Sequence, residues 1–316
     1  MATLYPEIEP YTTHQIAVGQ EHILMVEECG NPKGIPVVFL HGGPGAHCKP
    51  YQRSFFDPNC YRIILFDQRG AGRSVPTGCL QHNTTWDLLA DLETIRKQLS
   101  IENWLIFGGS WGATLGLLYA QQYPQQVLGL ILRSTFLARQ RDIDWCCLDG
   151  KVNQLFPEQW QAFIQLLPPT ETEQSLLAIY YRHLTSQDVT VVQQAALAWA
   201  AWGGCVVSNG EFPTPTEPSD KLINEARIEC HYMVNQCFLP ENQLLHDLPK
   251  ITHLPAILIH GQRDLVCPFE SSYLLKQNWP HAQLKSIPNA GHLARDPGMI
   301  PALVEATDEM ATYIGK

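Results

Sequence analysis

Ser110 is the residue in this sequence best placed to do covalent chemistry. It stands in Gly108-Gly109-Ser110-Trp111-Gly112, a G-x-S-x-G pattern, and a serine hydroxyl presented this way can attack a carbonyl carbon once a base takes its proton. A free serine is a weak nucleophile. The pattern therefore demands an imidazole base, a carboxylate behind it, and N–H donors for the developing oxyanion. Downstream, Asp264 follows Gly261-Gln262-Arg263, and His292 follows Asn289-Ala290-Gly291. Upstream, His41-Gly42-Gly43-Pro44-Gly45 is rich enough in glycine for its backbone N–H groups to converge on a ligand. The chemistry these parts imply is acyl transfer. His292 takes the Ser110 proton and returns it to the leaving group, Asp264 fixes the imidazole, and the Gly43 and Trp111 N–H groups receive the oxyanion. The bland alternatives are a chance serine in a glycine turn, an acid at a helix start near Pro268, and one loop histidine among twelve. Three parts in order, each just past an apolar run, favour catalysis.

Those parts need elements to hold them. Trp104 to Phe107 reads as a buried strand and Ala113 to Ala120 as a helix ending at Pro124, so Ser110 falls on a tight strand–helix turn where small neighbours are required. Pro36–Leu40, Tyr61–Phe66, Val127–Leu132 and Ala256–His260 are further apolar strand candidates, most with the unbroken character of strands covered on both faces, and a final strand is expected around Gln283–Ile287. An amino-terminal antiparallel hairpin is expected around Gln15–Val18 and His22–Cys29. Asn83 reads as the N-cap of a helix over Thr84–Leu99, with Leu88, Leu92, Ile95 and Leu99 at helical spacing, and a last helix is expected from Ile300 to Tyr313. Asp67 and Arg69 are expected to hold the loop after the Tyr61–Phe66 strand. From Phe136 to Lys250 the rhythm changes to aromatic-rich helical stretches broken by a loop at 210–218. The chain thus divides into an α/β core at 1–135 and 251–316, with a mostly parallel sheet flanked by helices, and an inserted helical cap at 136–250. Serine, acid, histidine is the chain order that α/β-hydrolases use.

Composition excludes several other roles. The 316 residues are 45% hydrophobic and 16% charged, with a net charge of −10, which describes a folded globular chain that nucleic acid or an anionic membrane would repel. No run of 18 or so apolar residues suggests a membrane span. The first ten residues contain Glu7 and Glu9 without a basic-then-apolar leader, so a cytoplasmic location is expected. Ten cysteines occur, none in a C-x-x-C pair or zinc spacing; they read as reduced thiols, with no metal site, though the adjacent pair Cys146-Cys147 could be redox-sensitive.

These motifs, with Asp67-Gln68-Arg69-Gly70, Gly72, Ser74 and Asn83-Thr84-Thr85-Trp86, resemble the proline iminopeptidases (prolyl aminopeptidases), peptidases of α/β-hydrolase fold. Weaker matches are Cys29-Gly30-Asn31-Pro32 and Gly291-His292, and the likeness spans essentially the whole chain. It implies cofactor-free release of an amino-terminal residue, preferably proline, from short peptides with a free amino terminus. It also implies that Ser110, Asp264 and His292 form the triad, with Gly43 and Trp111 as oxyanion donors. In the family two glutamates bind the substrate's α-amino group. Glu229, in Arg227-Ile228-Glu229-Cys230-His231-Tyr232, keeps one; the other position, after Trp199-Ala200-Ala201-Trp202, is Gly203. Phe136 and Cys267 match pocket positions, whereas Cys146-Cys147 and Met233 replace aromatic residues and Arg263 replaces a tyrosine. A roomier, softer pocket is the expected result. Glu211 is the nearest acid that could fold back to substitute for the missing glutamate. The bland role for Glu229 is an ion pair with Arg227, and that for Trp199, Trp202 and Tyr232 is helical core.

Two other functions compete with an aminopeptidase. One is a general esterase or amidase with drifted specificity; the other is a non-catalytic ligand receptor on the same fold, which usually lacks a triad member. Epoxide or haloalkane hydrolysis on this fold wants an aspartate where Ser110 stands. The oligomeric state is left open.

Overall fold

A computed structural model describes residues 3–147, 151–166, 176–211 and 213–315. The amino-terminal hairpin consists of β1 (Thr12–Gly19) and β2 (His22–Gly30). The apolar runs form β3 (Ile35–Leu40), β4 (Tyr61–Phe66), β5 (Trp104–Gly109), β6 (Val127–Arg133) and β7 (Ala256–Gly261), and the mixed run near the end forms β8 (Ala282–Ile287). They make one eight-stranded sheet in the order β1-β2-β4-β3-β5-β6-β7-β8. The β1–β2 and β2–β4 pairs are antiparallel, and every other pair is parallel.

Why these runs lack polar alternation follows from the two faces of the sheet. Val38, Leu40, Ile64, Phe66 and Ile106 point into one apolar cluster. Their neighbours Val37, Phe39, Ile63, Leu65 and Phe107 point into another. With side chains alternating between two covered faces, both sets must be apolar. On the second face Phe39 and Phe107 stack with centroids 5.4 Å apart.

The helices are α1 (Thr85–Gln98), α2 (Trp111–Gln122), α3 (Gln140–Cys147), α4 (Pro157–Ile164), α5 (Leu176–Leu184), α6 (Val189–Val207), α7 (Asp220–Val234), α8 (Gln243–His246), α9 (Glu270–Asn278) and α10 (Met299–Ile314). Between β6 and β7 the described elements are all helical. The 210–218 loop separates α6 from α7, with residue 212 outside the described residues. This helical segment has its own aromatic core, in which Phe163 stacks on Tyr180 and Trp202 at 4.6 and 5.6 Å.

Two expectations need correction. Thr84, not Asn83, caps α1: its side chain accepts from the Asp87 N–H, while the Asp87 side chain accepts from the Thr84 N–H. The Asn83 amide is used in tertiary contacts instead, donating to the Arg69 and Cys79 carbonyls and accepting from the Tyr232 hydroxyl at 2.9 Å. Second, α6 is long and apolar enough to cross a membrane, at 19 residues and a mean hydropathy of 1.2. That apolar length serves a core helix, with Ala195, Ala196, Trp199, Trp202 and Val206 buried in the cluster it shares with α4, α5 and α7.

The consequence for function is positional. Strands β5, β6, β7 and β8 lie side by side and parallel. Residues just past their carboxyl ends therefore gather along one edge, where open α/β sheets place their ligands. Ser110, Asp264 and His292 all lie there.

Candidate active site

Ser110 sits between the last residue of β5 and the first of α2, at φ 57° and ψ −123°. The surrounding glycines explain how the chain turns so sharply. A Cβ at Gly108 would strike the Gly112 carbonyl, and one at Gly112 would strike the Leu40 carbonyl. The Ser110 N–H is fastened to the Arg133 carbonyl at 2.9 Å, which ties the turn to the neighbouring strand β6.

His292 and Asp264 meet in the loops after β8 and β7. The His292 Nδ1–H donates to the Asp264 carboxylate at 2.8 and 3.0 Å, which leaves Nε2 as the nitrogen able to take a proton. Asp264 also accepts from the Val266 and Cys267 N–H groups, each at 2.9 Å, and lies 3.4 Å from His260 Nε2. Burial alone would push this carboxyl up. The charges of His292 and His260 and their hydrogen bonds outweigh it and hold Asp264 well below the usual carboxylate range. The far side of His292 is braced too, because the Arg133 guanidinium donates to its backbone carbonyl.

The two expected oxyanion donors are positioned through one side chain. Trp111 is the first residue of α2, so its N–H has no acceptor within the helix. Its indole donates to Gln68 Oε1 at 3.0 Å. Gln68 in turn grips the glycine loop, its N–H donating to His41 Nε2 and its amide to the His41 carbonyl, both at 2.9 Å. Asp67 and Arg69 hold the loop after β4, as expected: Asp67 accepts from Cys48 and Arg73, and Arg69 pairs with Asp91 at 2.7 Å.

A cavity of about 580 Å³ opens over Ser110 and His292 and has Gly43, Phe136, Cys267, Met233 and Glu229 in its lining. Cys146 and Cys147 line it as well. Phe136 is set by the Thr114 hydroxyl, which donates to its carbonyl at 2.6 Å. Trp199 and Trp202 serve both as core and as cavity wall, whereas Tyr232 is core, packed edge-on against Trp111 at 4.9 Å. Arg263 is exposed and outside the lining.

Glu229 is not in an ion pair with Arg227, whose guanidinium donates to the Leu184 carbonyl. Among the described residues its one hydrogen bond is from the Trp199 indole, at 2.7 Å. Burial, partly opposed by that bond and reinforced by the charge of Glu225, pushes the Glu229 carboxyl up to about 7. Glu211 does not fold back: it is exposed and outside the lining, and the other acids at the cavity are Glu225 of α7 and Asp142, the latter paired with Arg139. Gly203 lines the cavity with nothing within 4 Å of where a Cβ would stand. Sequence reasoning missed Gln68, Arg133, Glu225 and His260. Only His260, at the end of a strand and four residues before Asp264, carried a positional hint.

A serine at a strand–helix elbow, a buried Asp–His pair and a parallel sheet define a class. The α/β hydrolase fold family matches residues 35–296, and the chain belongs to it. Within that class the similarity is closer. A proline iminopeptidase of Xylella fastidiosa (strain 9a5c) is 46% identical over 312 residues, covering 98% of this chain and 99% of that one. Another, of Arabidopsis thaliana, is 44% identical over 317 residues, covering 99% and 83%. The chain is a member of the proline iminopeptidase family. Among solved structures, a proline iminopeptidase-related protein from Thermus thermophilus superposes with a TM-score of 0.61 at 20% identity, covering 96% of this chain and 98% of that one. That last likeness speaks to the fold alone.

The strained serine gives a stability test. A side chain at positive φ costs about 1–3 kcal/mol, most of which glycine avoids. Ser110→Gly is expected to be more stable than Ser110→Ala by about 1 kcal/mol in urea unfolding; equal midpoints would show that the turn stores no strain.

Proposed function

We propose that this protein is a serine aminopeptidase that releases the amino-terminal residue, preferably proline, from short peptides. One observation carries the reading beyond a generic hydrolase: a carboxylate, Glu229, stands in the wall of the cavity that holds Ser110 and His292, with no cationic partner among the described residues. A substrate ammonium would supply that partner and draw Glu229 into its ionised form.

In this reading Ser110 Oγ attacks the carbonyl carbon of the first residue while His292 Nε2 takes its proton. The Gly43 and Trp111 N–H groups bind the oxyanion, each worth about 3 kcal/mol of barrier lowering. Collapse breaks the C–N bond, and His292 returns the proton to the departing amine. Water, deprotonated by the same imidazole, then cleaves the acyl-enzyme. Asp264 holds the tautomer and balances the imidazolium. Phe136, Cys267 and Met233 would face the substrate's first side chain, and residues 136–250 would act as a cap over the site.

A second reading, a broad esterase or amidase, draws on Gly203, since a pocket with one carboxylate fewer grips an ammonium less firmly. Comparing L-proline β-naphthylamide with p-nitrophenyl acetate separates the two. The aminopeptidase reading expects efficient arylamide turnover that vanishes in Ser110→Ala; turnover of the ester alone would overturn it.

Restoring the second carboxylate tests specificity directly. Gly203 lies inside α6 with open space beside it, so Gly203→Glu fits and gains about 0.5–1 kcal/mol of helix propensity. It is expected to raise kcat/KM for prolyl over other aminoacyl arylamides by about tenfold or more. Unchanged ratios across a panel of amino-terminal residues would refute the role assigned to that position.

A further inference from the structure

The cavity over Ser110 does not end at the scissile bond. Lys221, Glu225 and Glu229 recur every four residues along α7 and all line it, as residues on one helical face must. Lys221 and Glu225 also line a second cleft of about 510 Å³, whose other walls include His47, Lys49 and Arg73. Helix α7 is therefore a shared wall: the cleft adjoins the cavity at Lys221 and Glu225, and Glu229 lines the cavity alone.

Charges in the cleft are mostly committed. Arg53 and Arg73 are both held by Glu27, Arg73 also reaches Asp67 at 3.0 Å, and His47 pairs with Glu225 at 3.3 Å. Among the described residues, Lys221 and Lys49 have no carboxylate partner, and neither does Asp220 have a cationic one. Lys221 and Lys49 thus stand at the outer end beside Asp220 and the His47-bonded Glu225, while Glu229 stands at the inner end. A short peptide carries the complementary pattern, an ammonium at its start and a carboxylate at its finish.

The spacing fits a particular length. Eight residues separate Glu229 from Lys221, about 12 Å at 1.5 Å per residue. An extended chain covers at most about 3.3–3.6 Å per residue, so a tripeptide spans about 10–11 Å and a dipeptide about 7 Å. We propose that the cleft beside α7 is a leaving-group subsite in which Lys221, supported by Lys49, binds the terminal carboxylate of a peptide of about three residues. This proposal rests on the aminopeptidase reading above. The enzyme would then read both ends of its substrate from one helix face and favour short free peptides over longer or blocked ones.

The test compares kcat/KM for Pro-Gly-Gly with that for its carboxyl-terminal amide, using the full-length enzyme, with L-proline β-naphthylamide as a substrate that has no carboxylate. The wild-type enzyme is expected to favour the free acid about fivefold, mainly through KM, as a solvent-accessible ion pair allows. In Lys221→Gln with Lys49→Gln the acid-to-amide ratio is expected to fall to near one. If the arylamide is cleaved but the wild-type enzyme treats acid and amide alike, or if the preference survives the double substitution, the subsite is overturned while the aminopeptidase reading stands. If the arylamide is not cleaved at all, both fall.

Discussion

The site depends on keeping one carboxylate ionised where water cannot reach it. An Asp264 side chain this buried would be expelled from its charged state unless donors replaced the lost solvation. Two backbone N–H groups and the His292 ring supply them, with His260 close behind. The same contacts that make the charge tolerable fix the imidazole in the tautomer that leaves Nε2 free. Solvation of the acid and orientation of the base are one arrangement, and the loops after β7 and β8 are shaped by it.

The serine side obeys a different constraint, which is steric. Helix α2 packs so closely on β5 and β3 that neither Gly108 nor Gly112 has room for a methyl group, and Ser110 is left in a conformation few side chains adopt. Gln68 then joins the glycine loop after β3 to Trp111 at the start of α2, and Arg133 links the turn to the histidine loop. The parts assigned to chemistry are thus mutually braced across six adjacent strands, from β4 to β8. The rest of the cavity is lined from α6 and α7, with an open position at Gly203 and a row of one lysine and two glutamates on α7.

Much of this was legible in the sequence because local patterns determine it. Short unbroken apolar runs bounded by turn residues fit strands covered on both faces, and the glycines around Ser110 mark a close approach. What escaped was set by tertiary contact. Asn83 and Thr84 are both good N-cap residues, and nothing local says that Tyr232, far along the chain, would claim the Asn83 amide. Glu211 and Glu225 are equally acidic; helical phase relative to Glu229 puts only the latter in the cavity. The apolar length of α6 became unambiguous only once its aromatic partners were in place. Gln68 and Arg133 looked like ordinary loop and strand-end residues until their acceptors were known.

The most direct measurement of the central claim is labelling with a fluorophosphonate, which reacts only with a serine activated by a neighbouring base, followed by peptide mapping. A triad built as described predicts a single adduct on Ser110, with a rate at least about 10³-fold lower in His292→Ala. No adduct, an adduct on another residue, or labelling that is indifferent to the loss of His292 would contradict it.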